Sequence, residues 1–164
     1  SRTRELCGHR TCTMHELMDC DSSDFGSSPW KGPAFDPEGE LAGQLPERYI
    51  VAYALGFAKL EYLSELDAPT RTAAAAAEAT PGLLGYRMGA SERCGGAATL
   101  SLWASEEAME SFVYSDAHQQ ATMTVDHAFY GNGSTHYERT RDAGLPTFAE
   151  AEAHLRADLE TTHK

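Results

Sequence analysis

Apolar positions along the chain change period several times, and each change marks an element. Tyr49, Val51, Tyr53 and Leu55 alternate with their neighbours, which places them on one face of a strand. Residues 83–90 and 97–103 are two further strand-like runs, and Glu92-Arg93-Cys94-Gly95-Gly96 supplies the turn between them. The period then becomes helical, with Ala108, Met109, Phe112 and Val113 on one face. Ser105 stands where a hydroxyl caps the first free N–H groups, and Glu106 and Glu107 suit the positive end of that helix. An earlier helix is predicted from an N-cap at Asp67, with Pro69 in its first turn, through the Ala73 to Ala77 run to Thr80. Pro81-Gly82 ends it. A further helical segment is predicted over 116–129, broken by Gly131-Asn132-Gly133, with a fourth strand over 134–139. Thr147 followed by Glu150 is a capping box, and Phe148, Ala151, Leu155 and Leu159 give the C-terminal helix one apolar face.

The resulting order, β-α-β-β-α-β plus a terminal helix, predicts an α+β chain with the ferredoxin-like split βαβ arrangement. Its two helices cover one sheet face and leave the other needing cover. Two copies packed face to face would bury that face, as in a dimeric α/β barrel, so a homodimer is expected. Residues 1–46 differ in kind, being rich in Gly, Ser, Pro and Asp. Such a segment cannot bury enough apolar surface to fold alone, although Phe25, Trp30 and Phe35 can anchor it on another surface. The expected division is an irregular N-terminal arm over 1–46 and a barrel domain over 47–164.

Composition narrows the partners. A net charge of −12 over 164 residues argues against nucleic-acid backbones and anionic membrane surfaces. No apolar run approaches the roughly 20 residues of a spanning helix. The opening residues, SRTRELCGHRTC, contain no apolar core of a secretory signal, although the chain does not start on Met. Four cysteines, three of them before residue 21, do not resemble an evenly spread disulfide framework, so a reduced cytoplasmic setting is expected. Cys7, His9, Cys12, His15 and Cys20 instead form a cluster of thiol and imidazole groups that suits zinc or copper. Its spacing matches no standard finger, and free thiols on the arm or one disulfide are the alternative reading.

Several of these residues resemble a known family. Pro81-Gly82-Leu83-Leu84-Gly85, Leu100-Ser101-Leu102-Trp103, Ala108, Phe112 and Ser115-Asp116-Ala117-His118 resemble the antibiotic-biosynthesis-monooxygenase-like superfamily of dimeric α/β barrels. Within it, the spheroidene-monooxygenase-like branch is the nearest likeness, with Tyr114 and His118 matching its Y-x-x-x-H element. The resemblance covers about residues 48–160. It implies a dimer with a cavity in each barrel, and it admits cofactor-free oxygenation, heme-dependent oxygenation, isomerisation or no activity. One departure stands out: relatives follow this His with several Arg, whereas here Gln119, Gln120, Thr122 and Thr124 follow.

The resemblance singles out His118 as a proton carrier or a heme ligand. A histidine at that position can equally brace the corner between two helices. His127 and His136 flank Phe129-Tyr130, and His136 and Tyr137 must point to opposite faces of a regular strand. With Tyr53, Tyr49 and Trp103 these residues could wall an aromatic pocket with a few polar tips, or be ordinary core. The candidate catalytic set is therefore His118, His136, His127 and Tyr130, and the candidate cofactor set is His118, Trp103 and Tyr53. No phosphate loop, dinucleotide fingerprint or hydrolase elbow is present. Two functions follow from different classes. One is a monooxygenase-like enzyme acting on a small hydrophobic or aromatic metabolite. The other is a zinc- or copper-binding protein whose barrel is only a scaffold.

Overall fold

The computed structural model describes residues 2–8, 10, 12–20 and 25–162. Five antiparallel strands among the described residues form one open sheet: β1 (Gly26–Ser27), β2 (Arg48–Ala58), β3 (Leu83–Ser91), β4 (Gly96–Trp103) and β5 (Phe129–Thr140), in the order β1-β3-β4-β2-β5. The last four have the ferredoxin-like arrangement, so the fold class read from the sequence is the one observed. Among the described residues six α-helices accompany them: α1 (Arg2–Cys7), α2 (Met14–Leu17), α3 (Leu63–Glu78), α4 (Glu106–Val113), α5 (Asp116–Val125) and α6 (Phe148–Thr162).

Local signals worked where caps were explicit. The Ser105 hydroxyl accepts from the Ala108 N–H at 3.1 Å and opens α4. A cap not singled out in the sequence opens α5, where the Ser115 hydroxyl accepts from the His118 N–H at 3.2 Å. Thr147 accepts from Glu150 N–H at 3.1 Å, but the Glu150 carboxylate turns away to the Tyr137 hydroxyl and Arg139. Only half of that predicted box forms. Helix α3 starts at Leu63, not after Asp67, so Pro69 lies inside it and leaves the Glu65 carbonyl without its helical donor.

Gly131-Asn132-Gly133 does not break the chain. These residues lie within β5, paired with Phe57, Gly56 and Leu55. The reason is packing: a Cβ on Gly131 would stand 2.7 Å from Leu17 Cδ1 of α2. The glycine is a landing site for the arm, and the strand runs through it.

The two sheet faces bury different things. Tyr49, Val51, Tyr53, Leu55 and Phe57 of β2 join Leu100 and Leu102 of β4 in the larger core. That core is closed by Phe148, Ala151 and Leu155 of α6 and by Cys7, Leu17, Met18, Trp30 and Phe35 of the arm. Trp30 stacks on Phe35 with centroids 5.2 Å apart, and the Arg87 guanidinium lies 5.2 Å over Trp30. Thus the face that the sequence left for a second subunit is covered by this chain's own arm and terminal helix.

The cysteines correct a second expectation. Cys7 pairs with Cys12, and Cys20 pairs with Cys94 in the β3–β4 turn. The Cys7, Cys12 and Cys20 sulfurs are therefore not thiolate ligands. His15 lies in α2, and His9 lies outside the described residues. No group of three or more metal-ligating side chains occurs among the described residues. Sequence could not couple Cys20 to Cys94, because the sheet brings together positions 74 residues apart. No described helix is long and apolar enough to cross a membrane.

Candidate active site

The opposite sheet face is built from small side chains. Ala52 and Ala54 of β2, Thr99 and Ser101 of β4, and Ser134 of β5 point toward the helices, and α3 answers with Ala73, Ala74 and Ala77. Small residues on both layers leave space that packed cores normally fill. The result is a cavity of about 440 Å³ between the sheet and α3, α4 and α5, within the size range of small-molecule sites. The alanine run, which reads in sequence only as a helix former, is one of its walls.

Trp103, Phe112 and His118 form a continuous aromatic wall. Trp103 is fully buried, stacks on Phe112 at 5.3 Å, and donates from Nε1 to the Ser101 hydroxyl at 2.9 Å. Phe112 meets the His118 ring at 4.6 Å. His118 occupies the corner where α4 ends and α5 begins. Its Nδ1 lies 3.0 Å from the Val113 carbonyl, one of the acceptors that α4 leaves unpaired at its C-terminus. A carbonyl only accepts, so Nδ1 carries the proton and Nε2 is the basic nitrogen of the neutral ring. The same histidine thus braces the corner and borders the cavity.

His136 reaches the same cavity from β5, and its Nε2 pairs with Glu106 of α4 at 3.4 Å. Tyr137, its neighbour, points to the other face and stacks on His154 of α6 at 3.7 Å. Two further residues were not singled out in the sequence. Glu110 of α4 lines the cavity, as does Tyr86 of β3, whose hydroxyl donates to Glu78 at 2.5 Å. Burial, and then that carboxylate, push the Tyr86 hydroxyl up to about 12.

The remaining candidates lie elsewhere. The Tyr53 ring sits on the arm-covered face, 6.4 Å from Phe148, and only its strand backs the cavity. His127 forms a pair with Glu65 at 3.1 Å and an edge contact with Tyr62 at 4.9 Å, away from this cavity. Tyr130 packs against the arm-side core, with Lys59 5.9 Å over its ring. The strand register decides these placements, and an irregularity between Phe57 and Ala58 shifts the start of β5.

A porphyrin fits this lining poorly. His118 and His136 are the imidazoles available to iron, but no Lys or Arg among the described lining residues faces the space where two propionates would need partners.

The fold defines the class of protein this chain resembles. No protein-family model matches the chain, and no curated protein matches it. Solved structures do match. An antibiotic biosynthesis monooxygenase structure aligns at TM-score 0.50 and 13% identity, over 59% of this chain and 99% of that one. A monooxygenase-like protein from Fusobacterium nucleatum aligns at TM-score 0.55 and 10% identity, over 71% of this chain and 52% of that one. A monooxygenase-like protein from Lactobacillus acidophilus gives 0.50 and 10%, over 60% and 50%. The chain spans about half the length of these last two. The protein therefore has the fold of the antibiotic-biosynthesis-monooxygenase-like proteins.

Proposed function

We propose that this protein is a monooxygenase-like enzyme that oxidises a small, uncharged hydrophobic or aromatic molecule in the cavity beside His118. The observation that carries the reading is the fixed tautomer of His118 in a mostly apolar, aromatic-walled space. With Nδ1–H held by Val113, Nε2 can take a proton from an acidic C–H or phenol of a bound substrate. The resulting anion is electron-rich. For an activated methylene the balanced reaction is RR′CH₂ + O₂ → RR′C=O + H₂O. The substrate supplies all four electrons, and its two hydrogens leave in the water. Phe112, backed by the buried Trp103, orients a planar substrate and keeps bulk water from the anion. The fold of the comparison structures supports this reading of the cavity. The disulfides support a proposed residence in an oxidising compartment instead of the cytoplasm.

Oxygen uptake with a panel of phenols, hydroquinones and activated methylene compounds tests the proposal. Turnover should fall about 10²–10⁴-fold in His118→Ala and recover in part with added imidazole, which refills the space with a base. A purely bracing His118 predicts lower stability with unchanged turnover per folded molecule. Binding without any oxygen uptake across the panel would refute the enzymatic reading.

A further inference from the structure

A second chamber of about 590 Å³ adjoins the first, between α3, α5 and the far end of the sheet. Thr70 and Ala73 of α3 and His118 of α5 line both, so they form a shared waist between the two chambers. On α3 that border carries only the small side chains of Thr70 and Ala73. Beyond it the wall is made by Leu63 and Leu66 of α3, Val125 of α5 and Phe129 of β5. Leu60 and Leu63 at its rim are 54% and 50% exposed, an unusual placement for leucines beside an apolar hollow. Glu92 is the charged side chain among the described lining residues, and no cation is there to meet a carboxylate or phosphate.

We infer that this chamber binds the unbranched hydrocarbon tail of the molecule whose head lies beside His118. The inference rests on the proposed function above and assigns its substrate class: an uncharged, elongated molecule with a reactive ring or methylene at one end and an alkyl chain at the other. Sharing Thr70, Ala73 and His118 as a common border favours one elongated occupant over two separate ligands. The chain's end is apolar, because a negative end would meet Glu92 and no cation.

The test uses 4-alkylphenols from methyl to decyl. Binding is followed by the fluorescence of Trp103; Trp30, on the other sheet face, contributes a constant background. Once the tail passes the waist, Kd should fall about fourfold per added methylene, until the chamber is full. Ala121→Phe fills the chamber from α5 and should reduce that increment to near one. Ala97→Phe fills it from β4 and should do the same, so a folding defect in either variant leaves the other to decide. Wild-type protein that binds methylphenol but shows no gain with length overturns the tail site and leaves the first cavity's reading intact. Wild-type protein that binds none of the series overturns both. Equal increments in wild type and both folded variants also overturn it. A doubling of mass in light scattering that disappears in the variants would give the chamber to a second copy of the chain instead.

Discussion

Separating Cys20 from Cys94 should cost more stability than separating Cys7 from Cys12, although both disulfides lie in or on the arm. The long bridge closes a sequence separation of 74 residues and the short one a separation of 5. Loop-closure entropy then assigns about 4.5 kcal/mol to the long bridge and about 2 kcal/mol to the short one at 25 °C. For a chain of this size about 4.5 kcal/mol corresponds to a fall of roughly 9–18 °C in melting temperature. The long bridge also pins the arm to the β3–β4 turn, where Arg2 N–H donates to the Arg93 carbonyl and Thr3 bonds the Cys94 carbonyl. Its loss should therefore expose the Leu17 and Met18 side of the sheet as well. The assay is guanidinium unfolding of Cys20→Ser/Cys94→Ser and Cys7→Ser/Cys12→Ser, alongside limited proteolysis of residues 2–20. A greater loss in the short-loop variant, or losses below about 1 kcal/mol in both, would refute the reasoning. Thiol titration of the unreduced, denatured protein should detect no free thiol, and four would refute the bridges themselves.

Three other outcomes follow from particular contacts. Tyr53→Phe should stabilise the protein by about 1 kcal/mol in urea melts, because the buried Tyr53 hydroxyl has no partner among the described residues. The same change should leave phenol binding unaltered, since the ring faces away from the cavity. Gly131→Val should lower stability by about 1–3 kcal/mol, because its Cβ would crowd Leu17 and Met14. Stability should decline as pH rises from about 10 to about 12. The folded protein keeps the Tyr86 proton to higher pH than the unfolded chain, so that contribution is intact below pH 10 and lost above it. Tyr86→Phe should make the decline shallower in denaturation curves taken across that window.

The sequence by itself determined the order of the main elements from β2 onward, the Ser105-capped helix and the ferredoxin-like class. These depend on period, turn residues and short-range caps, all of which act within about four positions of the chain. It also placed His136 and Tyr137 on opposite faces, because strand alternation is local. What it could not decide is which face of β2 is occupied by what. Tyr49, Tyr53 and Trp103 are all aromatic strand residues, yet Trp103 lines the cavity while both tyrosines pack under α6 and the arm. That assignment depends on long-range register and on where α6 returns. The cavity is subtler still: it arises from Ala52, Ala54, Ala73 and Ala77, residues that signal nothing individually and become a space only when two layers of them meet. The pairing of Cys20 with Cys94 has the same origin. Local chemistry is written along the chain, whereas a void, a disulfide partner and a covered face are properties of distances that only the folded sheet creates.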